Sequence, residues 1–117
     1  MIETTRQKQS RFALAVAMLI QRADQLGYEV TLGEAWRTPR QAAWNAERGI
    51  GTTTSLHIER LAIDLNLFRD GRWLQSTEDH RPLGEWWESL GKDYRWGGRF
   101  SRPDGNHYAL SPDGKRA

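Results

Sequence analysis

A chain of 117 residues with 38% hydrophobic residues and a mean hydropathy of -0.77 has the size and balance of one water-soluble domain, taken here as spanning 1–117. The formal net charge of +2 suits an acidic polymer without naming one, and the absence of cysteine excludes disulfides and thiolate metal sites. Any transition metal must be held by histidine and carboxylate.

No apolar run is long enough to span a bilayer. The most apolar stretch, Phe12 to Ile20, is followed by Gln21, Arg22 and Asp24 where a signal peptide would carry small residues. Neither membrane insertion nor a signal peptide is expected.

In chain order, Thr5 to Leu26 reads as a helix, because Phe12, Val16, Leu19, Ile20, Ala23 and Leu26 recur at helical spacing and Gly27 supplies a stop. A strand is expected from Glu29 to Trp36, with Val30, Leu32 and Trp36 on one face and Arg37 at its end. Thr38-Pro39 with Gln41 is a helix start, a capping box expected to open a second helix running to Arg48. Gly49 to Leu56 has no periodicity and reads as a loop.

Leu61 to Phe68 alternates cleanly. Leu61, Ile63, Leu65 and Leu67 share one apolar face, and Ala62, Asp64, Asn66 and Phe68 share the other. Such a strand packs one face on a core and leaves Asp64 looking out of the opposite one. Asp70-Gly71 predicts a two-residue hairpin returning through Arg72 to Leu74. Gln75 to Arg81 reads as a polar loop, with His80 exposed to solvent, and Pro82 to Leu90 as a third helix burying Trp86 and Trp87. Trp96-Gly97-Gly98 marks a turn, His107 to Leu110 a last short strand, and the tail from Ser111 is expected to fray. The elements describe a small α+β domain.

The chemistry-bearing residues cluster around this frame. His57 lies in the loop that enters the central strand, seven residues before Asp64, and His107 follows Asp104 by three positions. Two histidines and a carboxylate make three protein ligands and leave a fourth position open, the arrangement of a catalytic zinc site. Asp104 is then left over as a candidate general base.

Ser55-x-His57, Ala62-x-Asp64 and Asp104-x-x-His107, with Arg37-Thr38-Pro39, Gln41 and Trp96-Gly97-Gly98, resemble the zinc DD-peptidase family. That family includes VanY-type D-alanyl-D-alanine carboxypeptidases and phage L-alanyl-D-glutamate endolysins, and it shares the hedgehog/DD-peptidase fold. The resemblance implies an antiparallel sheet with helices packed on one face and a catalytic core over about residues 28–110. It implies one zinc ion on His57, Asp64 and His107, with Asp104 as the catalytic carboxylate, Arg37 on the scissile carbonyl and Ser55 contacting substrate. It further implies a peptidoglycan peptide as partner, cleaved by zinc-activated water. The aspartate at 104 is similar to phage members, whereas Arg60 stands where the family usually has glycine.

A lytic enzyme without a signal peptide would be made in the host cytoplasm and reach the wall by a holin-like route or as part of a virion. Basic residues are spread along the chain rather than gathered in a stripe, so no nucleic-acid partner is expected. A monomer is expected. The alternative reading is a zinc-stabilised binding module on the same fold that has lost catalysis.

Overall fold

The computed structural model describes residues 2–49 and 56–112. Helix α1 (Thr5–Gln25) is followed by β1 (Glu29–Leu32), α2 (Pro39–Glu47), β2 (Ala62–Arg69), β3 (Arg72–Leu74), α3 (Thr77–Glu88), β4 (Tyr94–Trp96), a 3-10 turn (Gly97–Arg99) and β5 (His107–Leu110). Ser55, with the contact expected of it, and residues 113–117 lie outside the described residues. Ser111, where fraying was expected to begin, is fully buried, and its amide donates to the Asp93 carbonyl at 2.7 Å.

The sheet is antiparallel, with strand order β1-β2-β5-β4 and β3 paired to β2. β2 is its spine. Its second half pairs with β1 on one side and β3 on the other, and its first half pairs with β5. The hairpin between β2 and β3 turns through Asp70 and Gly71 at φ of 52° and 77°, a pair of left-handed conformations that matches the twist of the strands it joins.

Alternation decides which way β2 faces. Leu61, Ile63, Leu65 and Leu67 are buried in the core, as are their cross-strand neighbours Tyr108 and Leu110 of β5. Helices α1 and α3 cover this face. Trp87 of α3 is fully buried, meets Phe12 of α1 edge-on at 5.9 Å and Tyr108 at 6.0 Å, and donates from Nε1 to the Ala109 carbonyl at 3.0 Å. The core thus lies between the sheet and two helices, and the opposite sheet face is left for the site. This is the α+β arrangement expected.

Several expectations need correction. β1 ends at Leu32 rather than Trp36, and Leu32 and Trp36 are 65% and 42% exposed instead of sharing a core face with Val30. The cause is a bulge: the Gly33 amide donates to the Asp64 carbonyl at 2.8 Å while the Asp64 amide donates to the Glu34 carbonyl at 2.9 Å. Two residues therefore oppose one, which ends the alternation.

α3 begins at Thr77, not Pro82. Ser76 caps it, accepting from the Asp79 amide at 3.1 Å while the Asp79 carboxylate accepts from the Ser76 amide at 3.2 Å. Pro82 falls inside the helix, where it removes one backbone donor without ending the element. His80, carried inward by that extra turn, is 2% exposed and lies 2.9 Å from the Tyr108 hydroxyl. At the second helix, Thr38 accepts from the Gln41 amide at 2.9 Å, but the Gln41 side chain turns to Asn45 at 2.7 Å, so only half of the expected capping box forms.

Candidate active site

Asp64 and His107 are directly opposite one another in the β2–β5 ladder. Cross-strand partners stand on the same side of a sheet, and their neighbours Ile63 and Tyr108 are buried in the core, so Asp64 and His107 point to the open face. His57 arrives from the turn that precedes β2. Leu56, 1% exposed, pins that turn, and its carbonyl accepts from the amides of Glu59 at 3.1 Å and Leu61 at 3.0 Å. The His57 carbonyl accepts from the Arg37 amide at 3.2 Å, which ties the strand end carrying Arg37 to the same turn.

These connections bring three donor atoms together. His57 Nε2 lies 3.2 Å from His107 Nδ1, and each of the two nitrogens lies 3.3 Å from Asp64 Oδ1. The result is a nearly equilateral triangle. Zinc bonds of about 2.0–2.1 Å at tetrahedral angles place neighbouring ligand atoms about 3.3 Å apart, so the triangle has the dimensions of one face of a zinc tetrahedron. The donor chemistry fits as well, with two imidazoles and one carboxylate forming the group best placed to hold a metal among the described residues. Burial works to raise the Asp64 pKa, but hydrogen bonding and charge from His107 and His57 outweigh it and bring it to about 2. Asp64 is therefore an anion at neutral pH.

Glycine permits the close approach. A Cβ on Gly33 would lie 2.8 Å from the Asp64 carbonyl oxygen and 3.1 Å from its Cβ. On the other side, Asp104 is held by backbone: its amide donates to the Gly97 carbonyl at 2.9 Å, and its carbonyl accepts from the His107 amide at 3.1 Å. A Cβ on Gly97 would fall 2.1 Å from the Asp104 oxygen, and Trp96 Nε1 donates to the Gly105 carbonyl at 2.7 Å. The Trp96-Gly97-Gly98 segment, expected only as a turn, is a buttress for the loop that presents Asp104 and His107.

Asp104 belongs to the same electrostatic cluster. Desolvation and then the negative charge of Asp64 push its pKa above the usual carboxylate value, while His107, His57 and Arg37 pull it down. A carboxyl raised in this way is a better proton acceptor than a free one. The side chain of Arg37 is mostly buried and turns to Glu34, donating from Nε to Oε1 at 2.7 Å. The structure thus gathers His57, Asp64, His107, Asp104 and Arg37 at one end of the open face.

Two further features shape the site, of which Glu34 was not anticipated. Glu34 sits between Arg37 and His57, with the same Oε1 3.8 Å from His57 Nδ1. Its spacing of three from Arg37 was the available signal, but the bulge that turns it inward depends on a partner strand. Arg60 occupies a left-handed backbone conformation, φ 60°, with its guanidinium 4.5 Å from the centre of the Trp36 ring. That conformation is one glycine adopts freely, and the stack on Trp36 offsets part of what arginine loses there.

A family model described as D-alanyl-D-alanine carboxypeptidase matches residues 48–110, more than half of the chain. Among solved structures, the fold is similar to the L-Ala D-Glu endopeptidase ChiX of Serratia marcescens. That match has a TM-score of 0.69 at 17% identity and covers 99% of this chain and 95% of the other. It is also similar to the vancomycin resistance D,D-pentapeptidase VanY of a VanB-type cassette, a mutant solved in complex with Zn(II). There the TM-score is 0.56 at 19% identity, over 86% of this chain and 70% of the other. No curated protein matches the chain by sequence. At these identities the two structures establish the fold.

Proposed function

The chain belongs to the D-alanyl-D-alanine carboxypeptidase family, and from that premise we propose that it is a zinc metallopeptidase cleaving stem peptides of bacterial peptidoglycan. The observation that carries the reading is the triangle of His57 Nε2, His107 Nδ1 and Asp64 Oδ1, with edges of 3.2–3.3 Å. Zinc bound there supplies Lewis acidity, polarising a carbonyl and making water a nucleophile at neutral pH.

The protein's own groups do the rest. Asp104, beside the donor triangle, takes a proton from the attacking water and returns it to the leaving amine. Arg37 offers positive charge to the scissile carbonyl oxygen as negative charge develops on it. Ser55 is assigned to substrate contact on the motif it shares with the family. The aspartate at 104 favours the phage lytic branch, an enzyme that acts on the wall after release through a holin-like route or as a virion component. The likeness to ChiX supports an endopeptidase and the family description a carboxypeptidase, so the bond is either L-Ala–D-Glu or D-Ala–D-Ala.

Digestion of purified peptidoglycan by the zinc-loaded protein, read by mass spectrometry, tests the reading and names the bond. New peptide termini are expected from the wild type, and Asp104→Ala should lose about 10²–10⁴-fold in rate while keeping its fold and its zinc. An undiminished rate in that variant removes Asp104 from the mechanism. Absence of termini from zinc-loaded wild type favours the binding module.

A further inference from the structure

Glu34 touches both halves of the site without belonging to the donor triangle. Its backbone carbonyl accepts from the amide of Asp64, one member of the triangle. Its carboxylate oxygen Oε1 lies 3.8 Å from Nδ1 of His57, another member, and accepts from Arg37 Nε at 2.7 Å. The bulge at Gly33 and Glu34 makes this possible by giving Asp64 two opposing residues. The Glu34 side chain then lies beside the turn that carries His57 instead of continuing the alternation of β1.

We propose that Glu34 is a positioning residue that sets the tautomer of His57 and aims Arg37 at the same site. The inference rests on the donor triangle being a metal centre. An imidazole can offer the Nε2 lone pair to a metal only if its proton sits on Nδ1. At 3.8 Å the Glu34 carboxylate is beyond hydrogen-bonding distance of Nδ1, but its negative charge on that side of the ring favours a proton there. Nε2 is then the stronger donor, the sense in which outer carboxylates act on metal-bound histidine. The same oxygen holds the Arg37 guanidinium, so one anion orders a ligand and a cation together. An ion pair three residues apart would by itself explain the contact of Glu34 with Arg37, but not the approach of Oε1 to His57.

The test measures zinc binding by competition with a chromogenic chelator, together with ring ¹⁵N shifts of His57, in the full chain and two variants. Glu34→Ala is expected to bind zinc about 10–100-fold more weakly, with a mixed His57 tautomer in the metal-free protein and an unchanged fold by circular dichroism. Glu34→Gln keeps the shape and the contact with Arg37 but removes the charge facing Nδ1, so it should lose zinc affinity by a smaller factor than Glu34→Ala. Wild-type affinity and wild-type ring shifts in Glu34→Ala would overturn the proposal. If Glu34→Ala fails to fold, Glu34→Gln decides, and affinity equal to wild type counts against it. Because the readout is metal uptake, failure of the peptidase reading leaves the proposal standing. A wild-type chain that takes up no zinc overturns both.

Discussion

At the scale of single residues, the site and the core beneath it depend on groups that must be small or uncharged where they stand. Gly33 shares its space with Asp64, since a Cβ would meet the Asp64 backbone at 2.8 Å. Gly33→Ala should therefore push β1 away from β2, costing about 1–3 kcal/mol in denaturant unfolding. It should also weaken zinc binding, because Asp64 moves with its strand. A variant with wild-type stability and affinity would show that the bulge yields without cost.

His80 must remain neutral. Desolvation lowers its pKa to about 4, against a small opposing effect of Asp79 and a backbone hydrogen bond to Leu74. The unfolded chain, with an ordinary histidine near 6.5, binds a proton that the folded chain refuses between those values. Stability from His80 is thus complete above about pH 6.5 and falls as pH drops toward 4, by roughly 3 kcal/mol in all. An NMR titration of the His80 ring should show it largely neutral at about pH 5; a midpoint near 6.5 would contradict its burial against Tyr108.

At the scale of elements, what could be read from the sequence was what local pattern controls. The alternation from Leu61 to Leu67 located β2 and its faces, because a strand with one buried face writes a period of two into its residues. Gly27 and Asp70-Gly71 marked a helix stop and a hairpin for equally local reasons. The start of α3 was missed because Pro82 is also a good first helical residue, and because Ser76 pairs with Asp79 rather than the more familiar Glu or Gln. The bulge, Glu34 and the burial of His80 were illegible for another reason: each depends on a residue far along the chain, Asp64 or Tyr108. The motif residues His57, Asp64, Asp104 and His107 could be picked out by type and order, but their convergence is the work of the β2–β5 register. Ser76→Ala should confirm the assigned start of α3 by lowering stability about 1 kcal/mol, with melting temperature as the measure. No change would place the helix start nearer Pro82.

At the scale of the molecule, metal and fold are linked. Zinc that binds the folded chain and not the unfolded one stabilises it by mass action, by about 2.7 kcal/mol when free zinc is a hundred times its dissociation constant. Chelation should lower the melting temperature by several degrees and abolish turnover, and readded zinc should restore both. An unshifted melting temperature on chelation would mean that no metal is bound at that centre.

The direct pairing of Asp64 with His107 has a kinetic consequence. His57 and His107 are 50 residues apart, so the centre closes a long loop. A slip of one residue in the β2–β5 ladder would turn Asp64 or His107 toward the helices, so no partly registered sheet presents all three donors. Loop-closure entropy predicts that a span of this length closes after the local helices and the β2–β3 hairpin. Zinc capture followed in a refolding experiment is then expected to report when the sheet settles into its single register.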